Sequence, residues 1–200
     1  MQKLLQQEKQ EGAQENKMKQ ENRMKQEKKL DNQEKMLKQE NYPGKDKCKE
    51  QVWDNEKAGI ITEDDLKDFF AHDQFAASLG IKLLEAKPGY AVSELVIKER
   101  HLNAVKIVQG GVIFTLADFT FAAASNACGQ IVVAAQGNIT YFQAPRGKKL
   151  IAKATEISAQ NRLVTYNVDI FDENNELIAR FTGLGYKKKQ YMWDCVDCLS

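Results

Sequence analysis

Gly110-Gly111-Val112-Ile113-Phe114-Thr115-Leu116-Ala117-Asp118-Phe119-Thr120-Phe121-Ala122-Ala123-Ala124 is the stretch on which the fold turns. Behind its two glycines it is apolar on every face of a helix, which is the mark of a helix buried all round. Cys128-Gly129 supplies a stop. Upstream, strand-like segments at 81–86 and 90–99 flank Pro88-Gly89 and read as a hairpin. Downstream, segments 131–143, 149–158, 162–172 and 176–187 are separated by the turns Pro145-Arg146-Gly147, Ala159-Gln160-Asn161 and Glu173-Asn174-Asn175. One apolar helix between a leading hairpin and a trailing meander predicts an α+β fold, an antiparallel sheet wrapped around a long central helix. A doubly wound parallel sheet would need helices that alternate with the strands.

Towards the N-terminus, Thr62-Glu63-Asp64-Asp65 has the form of a capping box, with Asp65 in place of the usual Glu or Gln. Leu66, Phe69, Phe70, Phe75, Ala76 and Leu79 follow at near-helical spacing, so a helix is expected over 63–79, with a break near His72-Asp73 and a stop at Gly80. Before it, residues 1–41 are almost entirely Gln, Lys, Glu and Asn. Met18, Met24, Leu30 and Met36 recur there every six residues, which puts successive apolar side chains about 120° apart and never builds a stripe. A solvated helix in exchange with disorder is expected, ended by Asn41-Tyr42-Pro43-Gly44; a docking tail for a partner is the alternative. The expected organisation is a low-complexity tail over 1–57, a domain over 58–188 and a C-terminal tail over 189–200.

A formal net charge of +1 supplies no global attraction to nucleic acid or to an anionic membrane. No window approaches the roughly 18 apolar residues of a membrane span, and the first thirty residues are too charged for the apolar core of a secretory signal. A cytoplasmic protein is expected, its cysteines at 48, 128, 195 and 198 reduced. Cys195-Val-Asp-Cys198 lacks the second ligand pair of a structural zinc site, so no metal is expected.

Asp118 is the only charged residue between Lys106 and Arg146. An ionised carboxylate in such a helix is costly unless it is paired or lines a cavity, so it is either the anchor of a structural network or a functional base. Gly110 and Gly111 favour the second reading. Free N–H groups at a helix start point outward towards negative charge, and glycine lets a carbonyl approach closely. Donors plus a carboxylate are the parts of an acyl-transfer site. Eight residues separate Gly110 from Asp118, about 12 Å at the helical rise, too far for both to serve one carbonyl. A two-fold pair of antiparallel helices would bring Gly110 of one chain beside Asp118 of another.

Residues 70–187 resemble the PaaI-like (phenylacetic-acid-degradation type) hotdog thioesterases. The likeness is carried by Ala71-His72-Asp73-Gln74-Phe75-Ala76, Leu79-Gly80-Ile81, His101-Leu102-Asn103, Gln109-Gly110-Gly111, Thr115-Leu116-Ala117-Asp118, Ala124-Ser125-Asn126 and Asn138-Ile139-Thr140-Tyr141. The resemblance implies the hotdog fold, a homodimer or homotetramer, an acyl-CoA substrate and no cofactor beyond the coenzyme A of that substrate. It implies that Asp118 activates water or attacks the thioester, that the Gly110 N–H polarises the carbonyl, and that Asn103 positions the carboxylate or the water. Two residues depart from the family pattern: Gln109 stands where His is usual and Lys106 where Gly is usual. Gln donates a hydrogen bond but carries no proton. A thiol leaving group, with a pKa of roughly 8.5 on the Cys model, departs without one.

Arg146-Gly147-Lys148-Lys149 is the local candidate for CoA phosphate, or else a solvated turn. Gly111 joins Arg146, Gly147 and Lys148 as a candidate substrate contact. His72 reads as packed or solvated, and His101 as a turn residue near the site mouth. Phe114, Phe119, Phe121 and Phe142 either line the acyl pocket or pack behind it. Two other functions compete. A hotdog hydratase or dehydratase needs a His paired with a carboxylate, and no His follows an Asp by five residues here. A non-catalytic acyl-CoA-binding regulator would have no use for a buried base.

Overall fold

The computed structural model describes residues 61–192. The 1–57 tail and Cys195-Val-Asp-Cys198 lie outside these residues. The capping box forms as expected: Asp65 N–H donates to Thr62 Oγ1 at 3.2 Å, and Thr62 N–H donates to Asp65 Oδ2 at 2.8 Å. It opens helix α1 (Glu63–Ala71), which ends where a second cap begins. Asp73 accepts from the Ala76 N–H at 2.9 Å and starts α2 (Gln74–Leu79), and Gly80 stops it at φ 81°. The two caps thus put the break where His72-Asp73 suggested.

A hairpin of β1 (Ile81–Lys87) and β2 (Tyr90–Val96) follows. β2 ends earlier than its pattern suggests, because residues Glu99–His101 form a 3-10 turn. His101 Nδ1 accepts the Lys98 N–H at 3.0 Å, which ties that turn down. The central helix α3 (Gly110–Asn126) leads to β3 (Gln130–Tyr141), β4 (Lys149–Gln160), β5 (Leu163–Asp172) and β6 (Leu177–Tyr191). All strand pairs are antiparallel, in the order β1-β2-β4-β5-β6-β3.

α3 lies on the sheet and packs against all six strands. Phe121 meets Tyr166 edge to face at 5.6 Å, and Phe114 meets Phe181 at 5.4 Å. Gly183 and Gly185 of β6 make room for these rings: a Cβ on Gly183 would lie 2.7 Å from the Phe181 ring, and one on Gly185 would lie 3.0 Å from Phe121. The helix is not buried all round, as its composition suggested. Gly111, Thr115, Asp118 and Ala122 form one row, at helical spacing, that the sheet leaves partly uncovered.

β3 is an edge strand whose residues 133–138 are exposed on both faces. β6 runs past the expected boundary at 188 to Tyr191, and Met192 is buried, with its N–H on Gly129 O at 2.8 Å. Cys128 is disulfide-bonded, not the reduced thiol expected there; the other three cysteines lie outside the described residues.

Candidate functional site

The start of α3 is built from two glycines, Gly110 and Gly111, and two side chains, those of Gln109 and Tyr141. Gln109, in extended conformation, is the N-cap: its Oε1 accepts the Val112 N–H at 3.1 Å. The amide groups of Gly110 and Gly111 find no acceptor among the described residues and are available to a ligand. The same cap explains the second glycine, since a Cβ on Gly111 would lie 2.7 Å from Gln109 Oε1 and displace it. Tyr141, at the end of β3, covers the first: its hydroxyl donates to Gly110 O at 2.9 Å and would meet a Cβ on Gly110 at 3.2 Å. Burial pushes the Tyr141 hydroxyl pKa up, so it stays a donor at neutral pH.

Asn103 organises the loop ahead of the helix. Its Oδ1 accepts from the N–H groups of Val105 at 3.0 Å and Ile107 at 3.2 Å, and its own N–H donates to Ile107 O at 2.8 Å. This closed turn, sealed by the Leu102–Val108 bridge and by Gln109 N–H on His101 O, delivers Gln109 to the cap. The Asn103 amide Nδ2 has no acceptor among the described residues and remains free to donate. Lys106 closes the turn at φ 63°, the left-handed conformation that explains why Gly is usual at this position.

Asp118 stands two helical turns further on, about 12 Å along the axis from Gly110. It is half-buried, and among the described residues it accepts no hydrogen bond and meets no cation. Burial, and then the negative charge of Asp73, raise its pKa above the ordinary carboxylate range. One chain therefore holds two separate part-sites, donors at the helix start and a carboxylate in its middle.

Arg146 and Lys148 lie on the loop that joins β3 to β4. The chain runs from Tyr141, on Gly110, through this loop to Lys148, whose carbonyl accepts the Ile97 N–H at 2.8 Å. The loop is fixed by Arg146 N–H on Asp172 Oδ2 at 3.0 Å and by Gly147 at φ 106°, where a Cβ would overlap the Glu173 carboxylate. The Arg146 and Lys148 side chains are exposed and form no ion pair among the described residues, whereas Lys149 is committed to Glu94 at 2.9 Å.

Several sequence candidates resolve into structure. His101 is fully buried, not at a site mouth, and burial and then Arg100 hold its ring pKa below the ordinary value. Phe119 packs on Phe70 at 5.5 Å and Phe121 on the core rings, while Phe142 is exposed. Tyr141 and Asp73 went unassigned in the sequence reading. Both stand in the quoted motifs, but nothing in the pattern says that the Tyr141 hydroxyl reaches Gly110 or that the Asp73 charge acts on Asp118.

Comparison with known proteins fits this geometry. Residues 106–179 match the thioesterase superfamily, a span that includes Gly110, Asp118 and the Arg146 loop. The chain is 40% identical over 124 residues to a protein of Archaeoglobus fulgidus that carries an esterase designation, covering 61% of this chain and 80% of that one. It is 25% identical over 119 residues to the acyl-coenzyme A thioesterase PaaI of Escherichia coli, covering 59% of this chain and 85% of the relative. The solved structure of E. coli PaaI superposes with a TM-score of 0.60 at 26% identity, over 62% of this chain and 91% of that one.

Proposed function

The chain belongs to the thioesterase superfamily as a PaaI-like hotdog thioester hydrolase, and from that premise we propose that it hydrolyses a small acyl- or aryl-CoA thioester, with Asp118 as its base or nucleophile. One observation carries the reading: Asp118 is half-buried, and has no partner among the described residues, on the uncovered row of an otherwise buried helix. A structural carboxylate would be saturated with donors, whereas a working base keeps its lone pairs free.

The chemistry follows from the parts. The N–H at Gly110, with that of Gly111 beside it, donates to the thioester oxygen as charge develops on it at the helix start. Asp118 takes a proton from water as the water oxygen bonds to the carbonyl carbon, or it bonds to that carbon itself and water later releases the acid. Either route breaks the C–S bond, and CoA leaves as thiolate. Gln109 holds the cap and has no proton to deliver, which a thiolate does not require. The free Nδ2 of Asn103 orients the water or the carboxylate, and Arg146 and Lys148 meet CoA phosphate, with Gly147 giving their loop its turn. None of these steps calls for a metal or prosthetic group.

The 12 Å separation makes the active unit at least a homodimer, in which Gly110 of one chain serves Asp118 of the other. The open β3 edge supports this, since a long edge strand exposed on both faces calls for a partner. Pairing of two such dimers would give the homotetramer. Among the described residues no helix is long and apolar enough to cross a membrane, and the reading we adopt is a cytoplasmic enzyme whose Cys128 disulfide is an exception to the reduced state usual there.

Thiol release from a panel of short, aryl and long acyl-CoA esters tests the assignment. Turnover should be fastest on a small acyl or aryl ester and fall by about 10³-fold or more in Asp118→Asn, because the amide neither accepts a proton nor attacks. Stoichiometric binding of CoA esters without turnover would make the protein a sensor instead.

A further inference from the structure

Tyr141 makes a hydrogen bond that the fold has little use for. Its hydroxyl donates to Gly110 O at 2.9 Å. Gly110 lies in the first turn of α3, so that carbonyl already accepts from the helical ladder, and the hydroxyl takes its second lone pair. Capping of the helix is done by Gln109. The end of β3 is held without the hydroxyl, since Tyr141 pairs with Ala179 in the sheet and the Phe142 N–H donates to Ile178 O at 2.9 Å. Nor does burial demand a partner, because Tyr141 is 47% exposed and water can serve it. Thr115 differs. Its hydroxyl also donates to a carbonyl of this turn, Gly111 O at 2.8 Å, but that is the ordinary bond of a helical Thr to the residue four before it. Tyr141 instead comes from an edge strand.

The carbonyl it meets is one end of a working peptide group. Gly110 C=O and Gly111 N–H belong to the same planar amide, and the Gly111 N–H is one of the two amides at the helix start that find no acceptor among the described residues. A donor on the oxygen of an amide draws electron density from its nitrogen and makes the N–H a stronger donor in turn. It also keeps the amide plane from tilting. The ring adds a wall, since a Cβ on Gly110 would lie 3.3 Å from Tyr141 Cζ. We propose that Tyr141 is a positioning residue for thioester hydrolysis: its hydroxyl holds and polarises the Gly110–Gly111 peptide, so that the Gly111 N–H is aimed at the thioester oxygen and binds it more strongly. The inference rests on the helix start being the site of that oxygen. Its benefit grows with the charge on the oxygen, so it is realised in the transition state more than in the bound substrate.

Tyr141→Phe in the full-length protein removes one oxygen and keeps the ring. Loss of a whole donor to a developing oxyanion costs about 10²–10³ in kcat, and weakening one should cost less, about 3- to 10-fold. The fall should appear in kcat with KM within about twofold of wild type, and the melting temperature should be nearly unchanged. A second readout follows the carbonyl itself. In an Asp118→Asn background, where a bound ester persists, the infrared stretch of an acyl-CoA labelled with ¹³C at the thioester carbonyl should lie below its position in solution. Adding Tyr141→Phe should move the band back towards the solution value. An unchanged kcat and an unmoved band in a folded Tyr141→Phe protein overturn the inference, as does a loss that falls mainly on KM. A large fall in melting temperature also overturns it, because the bond would then be structural. The same spectra separate this inference from the reading beneath it. If the ester band shifts on binding to Asp118→Asn and Tyr141→Phe leaves it there, only the Tyr141 inference fails; if the band never shifts on binding, the helix start does not hold the thioester oxygen and both fail.

Discussion

Asp118 and Asn126 are polar side chains eight residues apart on the same buried helix, and the structure treats them in opposite ways. Asn126, 4% exposed, is saturated: its Nδ2 donates to Ala122 O at 2.9 Å and Val132 O at 3.2 Å, and its Oδ1 accepts the Val132 N–H at 2.9 Å. Those bonds tie the end of α3 to the start of β3, so the residue is spent on the fold. Asp118 makes none. A buried polar group whose bonds are all made specifies structure, whereas one that finds no partner among the residues around it is kept for a ligand or a partner.

The sharpest way to break this comparison is to damage both residues and read activity and stability separately. Asp118→Asn should lose about 10³-fold or more in turnover while its melting temperature holds or rises. The sign follows from linkage. The folded-state pKa of Asp118 is raised by burial and Asp73, so the native chain binds more protons than the unfolded one between the two pKa values. Stability from this group is present below the unfolded pKa and lost as pH rises through the folded one, and at neutral pH the charge is a liability that Asn removes. Asn126→Ala should do the reverse. Stranding the buried Val132 N–H and C=O should cost about 2–4 kcal/mol in denaturant unfolding, with kcat per folded molecule nearly retained. A fall in stability for Asp118→Asn as large as that for Asn126→Ala would mean that Asp118 is structural after all.

A second test asks where the missing partners of Asp118 are. Gly110→Val should crowd Tyr141, which would meet even a Cβ at 3.2 Å, and so close the helix start to a carbonyl. In a mixed dimer with Asp118→Asn, one of the two sites keeps an intact Gly110 from one chain and an intact Asp118 from the other. Co-refolding the two inactive proteins should therefore recover up to about a quarter of wild-type activity, since half of the dimers are mixed and each carries one whole site. No recovery, with mixed dimers verified by native mass spectrometry, would put both groups in one chain and refute the shared site.

How far the sequence foretold this depends on whether the signal was periodic or spatial. The α+β class, the helix break at Asp73 and the turns at Pro88-Gly89, Asn161 and Asn175 were legible, because apolar spacing and left-handed turn residues are local. The uncovered row on α3 was not: Thr115 and Ala122 look no different from buried residues, and only the packing of the sheet exposes them. Asp118 stood out as a lone charge, but its contrast with Asn126 is invisible until β3 is seen to supply Val132. Tyr141 reaches Gly110 across 31 positions of sequence, a distance over which no period carries information. The Cys128 disulfide is not legible either, because the spacing of four scattered cysteines says nothing of which ones meet in space.

The smallest expected effect lies in the loop that presents Asn103, where backbone geometry rather than hydrogen bonding marks the strain. Lys106 sits at φ 63°, which costs a residue bearing a Cβ about 1–2 kcal/mol. Its side chain returns only an exposed ion pair with Glu99 at 2.5 Å, worth about 0–1 kcal/mol. Replacing it with Gly relieves the strain but frees the unfolded chain, which offsets about 0.4–1 kcal/mol. The net change against wild type should therefore be small. The comparison that isolates the backbone is Gly against Ala, since both lack the ion pair and only Ala keeps the strain. Lys106→Gly should unfold at higher denaturant than Lys106→Ala by about 1 kcal/mol, with unchanged m-value and thiol release in both within about twofold of wild type. If Ala proves as stable as Gly, the left-handed turn at Lys106 does not persist in solution, and the Asn103 loop is held by its two Oδ1 hydrogen bonds alone.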